Sequence, residues 1–303
     1  HISLYELGIG SGDEVIVPAL TFIATVNPVI YTQAKPVFAD VDIDTWNISP
    51  EELEKRITKK TKAIIPVHLY GNPCEMDKIM AIARKHKLHV IEDATESLGA
   101  VYNKKHTGTF GDLGCFSFNG NKTITTGGGG MVVSNNKKRI EHIKFLINQA
   151  RDESKGYYHP ELGFNYRMTN IEAALGLAQF EKLEAFLNKK KDLNETYKEN
   201  LGSIPGFKFQ VQYLKAKSSF WLTTLRFENN INVETLQKKL RAKGIPVRRV
   251  FMPLTEFPHY KNNNRKSYKN AYRIYNNGLC LPSSVLNSRE DALKVCKAIK
   301  EVL

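Results

Sequence analysis

The chain has 303 residues, of which 44 are Lys or Arg and 31 are Asp or Glu, so its formal net charge is +13. Hydrophobic residues make up 42% of the chain and charged residues 25%, as in ordinary globular proteins. This composition excludes a disordered chain, a collagen-like chain and a disulfide scaffold. The length predicts one or two domains with a sizeable core.

The positive net charge and the four cysteines give expectations about binding partners and about the cellular compartment. The lysines are spread over predicted helices, as at 59–60 and 189–191, without a nucleic-acid motif. Charge runs of this kind are usually solvated faces, so we expect no nucleic-acid partner. The four cysteines are scattered, without a C-x-x-C pair, and no His cluster has metal-ligand spacing. We therefore expect a cytoplasmic protein without a metal site.

The N-terminal segment has the features of a folded chain and not those of a targeting or membrane segment. Residues 1–5 read as the end of an amphipathic helix that Gly8 closes, and residues 1–12 lack a signal-peptide pattern. Residues 15–34 carry no charge, but two prolines and several polar residues interrupt them, so we expect no membrane span. Because there is no initiator Met, we expect the natural N-terminus to lie upstream.

Short apolar runs alternate with helical patterns over the first two-thirds of the chain. This alternation, with strands that are apolar on both faces, predicts an α/β domain with a mainly parallel sheet covered by helices. The predicted strands are 15–19, 36–41, 63–69, 90–94, 115–118 and 131–134, and the predicted helices are 50–58, 75–87 and 137–150.

A long helix is predicted from Asn170, where Ile171, Ala174, Leu175 and Ala178 follow helical spacing, and Lys-rich sequence continues toward Leu201. Residues 203–206 (SIPG) break the pattern and predict a boundary between a large domain, 1–203, and a smaller C-terminal α+β domain, 204–303. In the latter, strands are predicted at 207–211, 220–227 and 247–251, and helices at 233–242 and 289–302.

Two glycine-containing segments are weak matches to nucleotide-binding motifs. The segment 8–12 (GIGSG) precedes a strand, so it reads as a helix-to-strand turn and not as a dinucleotide fingerprint. The segment 114–123 (GCFSFNGNKT) has neither the Gly-Lys pair nor the spacing of an NTPase phosphate loop. Four glycines at 127–130 predict a tight turn with positive φ, which could also let a planar ligand approach Lys122.

The most informative cluster is 91–96 (IEDATE), where Asp93 closes an apolar strand. A solvated strand-end carboxylate is the plain alternative, but ligands of open α/β sheets bind at such ends. Lys122 follows the next strand, which carries Ser117. A lysine that forms a Schiff base, a carboxylate for a pyridinium nitrogen and a hydroxyl for a phosphate together suit pyridoxal 5'-phosphate (PLP).

These motifs resemble the DegT/DnrJ/EryC1/StrS family of sugar aminotransferases. The resemblance covers almost the whole chain and includes VIEDATESLGA, GCFSFNGNKTITTGGGGMVV, GFNYRMTNIEAALGLAQ and GIPVRRVFMPL. It implies a fold-type-I PLP-dependent transferase that moves an amino group from L-glutamate to a nucleotide-linked keto sugar. It also implies a homodimer with active sites shared between subunits. The all-glycine tract is similar to that of the LegC-type and perosamine-synthase-like subgroup, whereas many relatives have Gly-Glu-Gly-Gly.

The resemblance also assigns roles by motif. It implies that Lys122 is the catalytic lysine, that Asp93 meets the pyridine nitrogen and that Glu96 lies near the ring hydroxyl. The other cofactor contacts that it implies are a phosphate ligand, an aromatic ring stacked on the cofactor and a residue that reaches the neighbouring subunit's phosphate: Ser117, Phe22 and Asn165. The relatives' Gly-Thr phosphate turn would lie upstream of residue 1, so we expect that part of the phosphate cup to be missing from this sequence.

Substrate contacts are expected from His68 and Tyr70 at another strand end, and from Tyr166, Arg167 and Arg248. Plain alternatives stay open: a core position for Phe22, a turn residue for Asn165 and surface pairs for the arginines. Two other functions also stay open, a PLP-dependent sugar dehydratase on the same fold and a degenerate PLP-binding protein. Dehydratase relatives have His in place of the lysine, so Lys122 favours amino transfer.

Overall fold

The computed structural model describes residues 1–228, 231–260 and 265–303. Helices and strands alternate along most of the chain. The described helices are α1 (Ile2–Glu6), α2 (Asn27–Tyr31), α3 (Pro50–Lys55), α4 (Met76–His86), α5 (Lys137–Leu146), α6 (Asn170–Phe180), α7 (Leu183–Leu201), α8 (Val233–Ala242), α9 (Lys269–Asn277) and α10 (Arg289–Val302). The described strands are β1 (Glu14–Pro18), β2 (Lys35–Ala39), β3 (Thr61–Ile64), β4 (His89–Asp93), β5 (Val101–Tyr102), β6 (Lys105–His106), β7 (Leu113–Ser117), β8 (Gly130–Val133), β9 (Phe207–Phe209), β10 (Ala216–Lys217), β11 (Thr224–Phe227), β12 (Arg248–Arg249) and β13 (Gly278–Cys280).

The main sheet has six strands in the order β2-β1-β3-β4-β7-β8. All its pairings are parallel except the one between β7 and β8. The residues of β1 are all buried, as expected for a strand covered on both faces. The predicted α/β fold with a mainly parallel sheet is therefore confirmed, and the parallel strands end together at one edge.

A second apolar core lies beneath the antiparallel sheet β12-β13-β11-β9. Strand β11, with Leu225 and Phe227 fully or almost fully buried, packs there against α8 and α10. Leu193 and Tyr197 of α7 belong to the same core. The boundary between residues 203 and 204 stays a prediction, and α7 contributes to the packing of the smaller unit.

Sequence signals explain several element ends. Helix α6 begins at a capping box, in which the Thr169 hydroxyl accepts from the Glu172 N–H and the Glu172 carboxylate accepts from the Thr169 N–H. The predicted turn between α1 and β1 is confirmed, with Gly8 and Gly12 at φ of 67° and 89°. The predicted turn in the glycine tract is also confirmed, with Gly127 and Gly129 at 85° and 83°.

A helix begins at Asn170, as predicted, but it is shorter than expected. It ends at Phe180, and Glu181 and Lys182 separate α6 from α7, which continues to Leu201. The spacing of apolar residues changes at this point. Helix α6 is rich in apolar residues, whereas α7 starts an amphipathic pattern of its own. Strand β12 also covers only part of the predicted 247–251. No helix in the described part of the chain is both long enough and apolar enough to cross a membrane.

Candidate functional site

A cavity of about 390 Å³ opens where β4 and β7 end. This is the edge of a parallel sheet at which α/β proteins bind ligands. The cavity brings together seven residues that the sequence predicted, from five separate segments of the chain. They are Phe22, Tyr70, Asp93, Glu96, Ser117, Lys122 and Arg248.

Asp93 is the last residue of β4, and two threonines orient its carboxylate. Thr25 donates to Oδ2 at 2.7 Å, and the Thr95 hydroxyl donates to Oδ1 at 2.6 Å. The Thr95 N–H also donates to Oδ1, at 3.2 Å. Because each carboxylate oxygen can accept more than one bond, the group keeps capacity for a donor in the cavity. The Asp93 side chain is therefore held in one orientation at the end of β4.

Glu96 is a buried residue of the cavity wall, with 4% of the residue exposed. Its Oε2 accepts from the Tyr70 N–H at 2.7 Å, and its Oε1 lies 4.0 Å from Lys122 Nζ. Burial raises the pKa of Glu96 to about 7, although Lys122 and the Tyr70 N–H oppose the rise. Glu96 is therefore a carboxyl group that can exchange a proton near neutral pH.

Tyr70 has a backbone φ of 56°, an uncommon value for a bulky residue. Its ring is fully buried and stacks on Phe251 and Trp221, and its hydroxyl accepts from the Phe251 N–H at 2.8 Å. The unusual backbone brings the Tyr70 N–H to Glu96. Tyr70 thus lines the cavity as a rigid support.

The Lys122 amine lies over the face of Trp221, 4.1 Å from the ring centroid. The Trp221 Nε1–H donates to the Asn121 carbonyl at 2.8 Å, which fixes the ring beside the lysine. Only 13% of the Lys122 side chain is exposed. Trp221 and Glu96 thus hold the amine at the cavity.

Phe22 and Ser117 supply an apolar face and a hydroxyl. Phe22 is 53% exposed, so the core alternative for this residue is wrong, and its ring lies 5.6 Å from that of Phe251. Ser117 ends β7, and its Oγ accepts from the Asn119 N–H at 3.3 Å. Since this leaves the hydroxyl proton free, Ser117 can donate to an anion.

His68 does not line the cavity, contrary to expectation. Its side chain has no exposed surface, its Nε2 lies 3.1 Å from Glu92 Oε2 and its Nδ1 accepts from the Cys74 N–H at 3.0 Å. Glu92 also accepts from the N–H groups of Gly108, Phe110 and Gly111. The pair therefore secures the turns behind the sheet edge.

Three other residues that the sequence predicts for the site do not line the cavity of their own chain. Asn165, Tyr166 and Arg167 are exposed, and the Tyr166 hydroxyl meets the His1 ring at 3.1 Å. Their expected roles in binding stay predictions.

Several cavity residues are not predicted from the sequence. The sequence predicts a strand at Trp221, but residues 218–223 form a loop that carries the ring to Lys122. Thr25 and Thr95 were not singled out for Asp93, although Thr95 is two residues from it, a spacing at which a hydroxyl often bonds locally. Arg249 and Phe251 complete the wall.

The residues of the cavity fit PLP. The Lys122 amine could react with the aldehyde of PLP, and the Asp93 carboxylate at the strand end suits a protonated ring nitrogen. The exposed Phe22 ring offers an apolar face to a planar group. The Ser117 hydroxyl can bind a phosphate oxygen. Lys122 would hold the cofactor covalently, and Asp93 would meet its ring nitrogen.

The raised pKa of Glu96 gives a pH prediction. Between about pH 4.5 and 7 the folded chain keeps a proton on Glu96 that the unfolded chain releases, so this group's contribution to stability falls as the pH rises through that range. In the cofactor-free protein, the stability advantage of the wild type over Glu96→Gln should shrink from pH 5 to pH 8. Urea unfolding at both pH values measures it.

The exposed Glu184 provides the control, since Glu184→Gln should track the wild type at both pH values. An equal difference between wild type and Glu96→Gln at pH 5 and pH 8 would contradict the raised pKa.

Comparisons with known proteins agree with this geometry. The model of the DegT/DnrJ/EryC1/StrS aminotransferase family matches residues 1–300. The chain is 42% identical over 305 residues to the GDP-perosamine synthase of Escherichia coli O157:H7, covering 99% of this chain and 82% of the relative. It is also 42% identical over 306 residues to the GDP-perosamine synthase of Caulobacter vibrioides, covering 100% and 82%. The solved structure of DesV from S. venezuelae matches with a TM-score of 0.93 and 32% identity, covering 99% of this chain and 81% of that one.

Proposed function

The chain belongs to the DegT/DnrJ/EryC1/StrS aminotransferase family, and on that premise we propose its substrates: L-glutamate as amino donor and a GDP-linked 4-keto-6-deoxy hexose as acceptor. The enzyme is a PLP-dependent transaminase of nucleotide-linked sugars. The observation that supports amino transfer over the other functions is the Lys122 amine, held over Trp221 in the cavity that also contains Asp93.

Lys122 and Asp93 have separate roles in this reaction. PLP, when bound, supplies an electron sink for the pair released from a broken Cα–H bond. The amine of Lys122 moves the proton, first as general base at the donor's Cα and then as general acid. Asp93 keeps a proton on the ring nitrogen by ionic pairing. Thr25 and Thr95 hold that carboxylate in place.

Glu96 is the second acidic residue near the Lys122 amine. Its carboxyl lies 4.0 Å from Lys122 Nζ, and burial raises its pKa to about 7, so a change in its charge near neutral pH acts on the amine electrostatically. Glu96 and Tyr70 are both buried, so they exclude water from this side of the amine. The two half-reactions should follow ping-pong kinetics.

The nucleotide and the sugar are inferred from relatives. Two of them are called GDP-perosamine synthases, which favours GDP over UDP as the carrier. The motif resemblance favours a 4-keto-6-deoxy hexose, with the amino sugar destined for a surface glycan. L-Glutamate is proposed from the same resemblance.

The test is to load the purified enzyme with PLP, add glutamate and then offer GDP- and UDP-linked keto sugars in turn. We expect 2-oxoglutarate after the first step and an amino sugar after the second, fastest with the GDP-linked 4-keto sugar. A deoxygenated, amine-free product would support the dehydratase instead. Failure of glutamate to change the absorbance of the bound cofactor would support a degenerate PLP protein.

A homodimer is the second part of the proposal, and helix α6 supports it. The residues that α6 turns toward the chain are Glu172, Gly176 and Gln179, and the Gln179 side chain accepts from the Thr125 N–H at 3.0 Å. Its apolar residues are outward instead: Ile171 is 83% exposed and Leu177 63%. An apolar helix face that is exposed beside the site is typical of a protein interface. A second copy on this face would also bring another Asn165 near the site.

Placing a charge on this face should therefore break the dimer. We expect Ile171→Glu to shift the protein from dimer to monomer, because an unpaired carboxylate would be buried in the interface. Analytical ultracentrifugation of the holoenzyme measures this, and the transamination rate should fall with the dimer fraction. Leu214→Glu, at a fully exposed leucine on a loop, is the control and should stay dimeric. A wild type that sediments as a monomer would reject the dimer.

A further inference from the structure

Two buried threonines and the carboxylate of Asp93 form a short chain of hydrogen bonds at the sheet edge. The Thr25 hydroxyl donates to Asp93 Oδ2 at 2.7 Å, and Thr21 Oγ1 lies 3.1 Å from Thr25 Oγ1. Thr21 is 2% exposed and Thr25 6%. Both residues line the cavity that contains Asp93. Thr21 and Thr25 are called the hydroxyl relay below.

The charge of Asp93 sets the direction of the hydroxyl relay. An ionised carboxylate only accepts hydrogen bonds, so the Thr25 proton points to Asp93. The Thr25 oxygen then has only lone pairs to offer to Thr21, so the Thr21 hydroxyl donates to it. In the described part of the chain, the Thr21 side chain has no other hydrogen-bond partner. Both protons of the relay therefore point toward the carboxylate.

The backbone holds the hydroxyl relay in place without help from a ligand. Residues Ile23–Thr25 form a single 3₁₀ turn, and the Thr25 N–H closes it by donating to the Phe22 carbonyl at 3.1 Å. The start of the segment is anchored as well, because the Ala19 N–H donates to the Ala39 carbonyl at 2.8 Å. The two hydroxyls are thus fixed beside β4 by main-chain contacts.

Hydrogen bonds in series strengthen one another, by about 10–30% per bond in the condensed phase. Bonds donated to a carboxylate also favour its charged form over its protonated form. A relay that points toward Asp93 therefore acts on the balance of a proton shared between this carboxylate and a base bound in the cavity. A threonine without a donor of its own behind it would have a weaker effect.

We propose that the hydroxyl relay is a positioning device for the reaction: Thr21, acting through Thr25, favours the ionised form of Asp93 and so keeps the proton on the ring nitrogen of the cofactor. The proposal rests on the proposed pairing of Asp93 with that nitrogen. Both threonines act through Asp93, so they are positioning residues and not catalytic residues. Thr95 is distinct from the relay, because it donates to the other carboxylate oxygen, Oδ1.

The magnetic resonance signal of the ring nitrogen in the holoenzyme, prepared with ¹⁵N-labelled PLP, tests the relay. We expect Thr25→Val to move this signal toward that of the unprotonated ring and to slow the Cα step in single-turnover mixing about tenfold. Thr21→Val should move it less and slow the step about threefold. Thr21→Ser keeps the hydroxyl and should behave as the wild type. The matched control is Thr196→Val, because the Thr196 hydroxyl is also on a buried residue and donates to the Asp192 carbonyl within α7.

The double variant separates a relay from two independent contacts. If Thr21 acts through Thr25, adding Thr21→Val to Thr25→Val should change neither the nitrogen signal nor the rate further. Additive effects would reject the relay. If Thr25→Val does not fold, the comparison of Thr21→Val with Thr21→Ser decides, since the two differ in which of the hydroxyl and the methyl group is kept.

Two further results would overturn the relay. One is a Thr21→Val enzyme with the nitrogen signal and the rate of the wild type. The other is weaker PLP binding with an unchanged signal, which would leave the threonines only the task of holding the segment that carries Phe22. Asp93→Asn distinguishes the levels of failure. If it leaves the nitrogen signal unchanged, the proposed pairing of Asp93 fails; if it moves the signal and the threonine variants do not, only the relay fails.

Discussion

Lys122→Ala should lower transamination at least about 10³-fold, because it removes both the covalent anchor of the cofactor and the base that moves the proton. The amine lies in the cavity with Asp93 and Glu96, and no other lysine lines this cavity in the described part of the chain. The rate is measured as 2-oxoglutarate formed from glutamate by enzyme incubated with excess PLP. The absorbance of the bound cofactor should change as well, since the covalent link is lost.

Lys137→Ala is the control, because the Lys137 side chain is 90% exposed on α5 and, among the residues that the structure describes, forms an ion pair only with Glu141 of the same helix. Such a pair contributes little to stability, so activity should stay near that of the wild type. Transamination by Lys122→Ala at the wild-type rate would remove Lys122 from the mechanism.

The parallel sheet could be predicted because its strands are short apolar runs separated by helical patterns, and the same pattern located the site. Asp93 and Ser117 each end a strand, and parallel strands that pair in the sheet end at the same edge. Knowing the strand ends was therefore enough to bring a carboxylate and a hydroxyl together. The position of Lys122 followed from its place shortly after β7.

Other features depend on contacts between distant segments, which periodicity does not encode. His68 also follows a strand, but its ring points into the protein, where it pairs with the buried carboxylate of Glu92. Trp221 reaches Lys122 from a loop about a hundred residues later. Helix α6 has the apolar spacing of a core helix, but that face points outward. Spacing predicts an apolar face and not the partner that covers it.

Asp93→Asn should lower the turnover rate by about 10²-fold or more while the cofactor still binds. The amide has the same shape: its oxygen can still accept from Thr95, and its NH₂ can donate to the Thr25 oxygen if the Thr25 hydroxyl turns away. It carries no charge, however, to hold a proton on the ring nitrogen. Without that proton the ring takes up electrons poorly, and the step at Cα slows. Single-turnover mixing with glutamate measures this step directly.

The matched comparison is Thr95→Val, which removes one hydroxyl donor to Asp93 Oδ1 and leaves the carboxylate and the second donor, Thr25. If the charge is what matters, Thr95→Val should slow the Cα step much less than Asp93→Asn does. If instead the position of the side chain matters most, Thr95→Val should be at least as slow as Asp93→Asn, because it removes a hydroxyl that orients the carboxylate. Equal rates for Asp93→Asn and wild type would reject the pairing of Asp93 with the ring nitrogen. The charge explanation is favoured by the structure, since the carboxylate is held from two sides and faces the cavity at the end of β4.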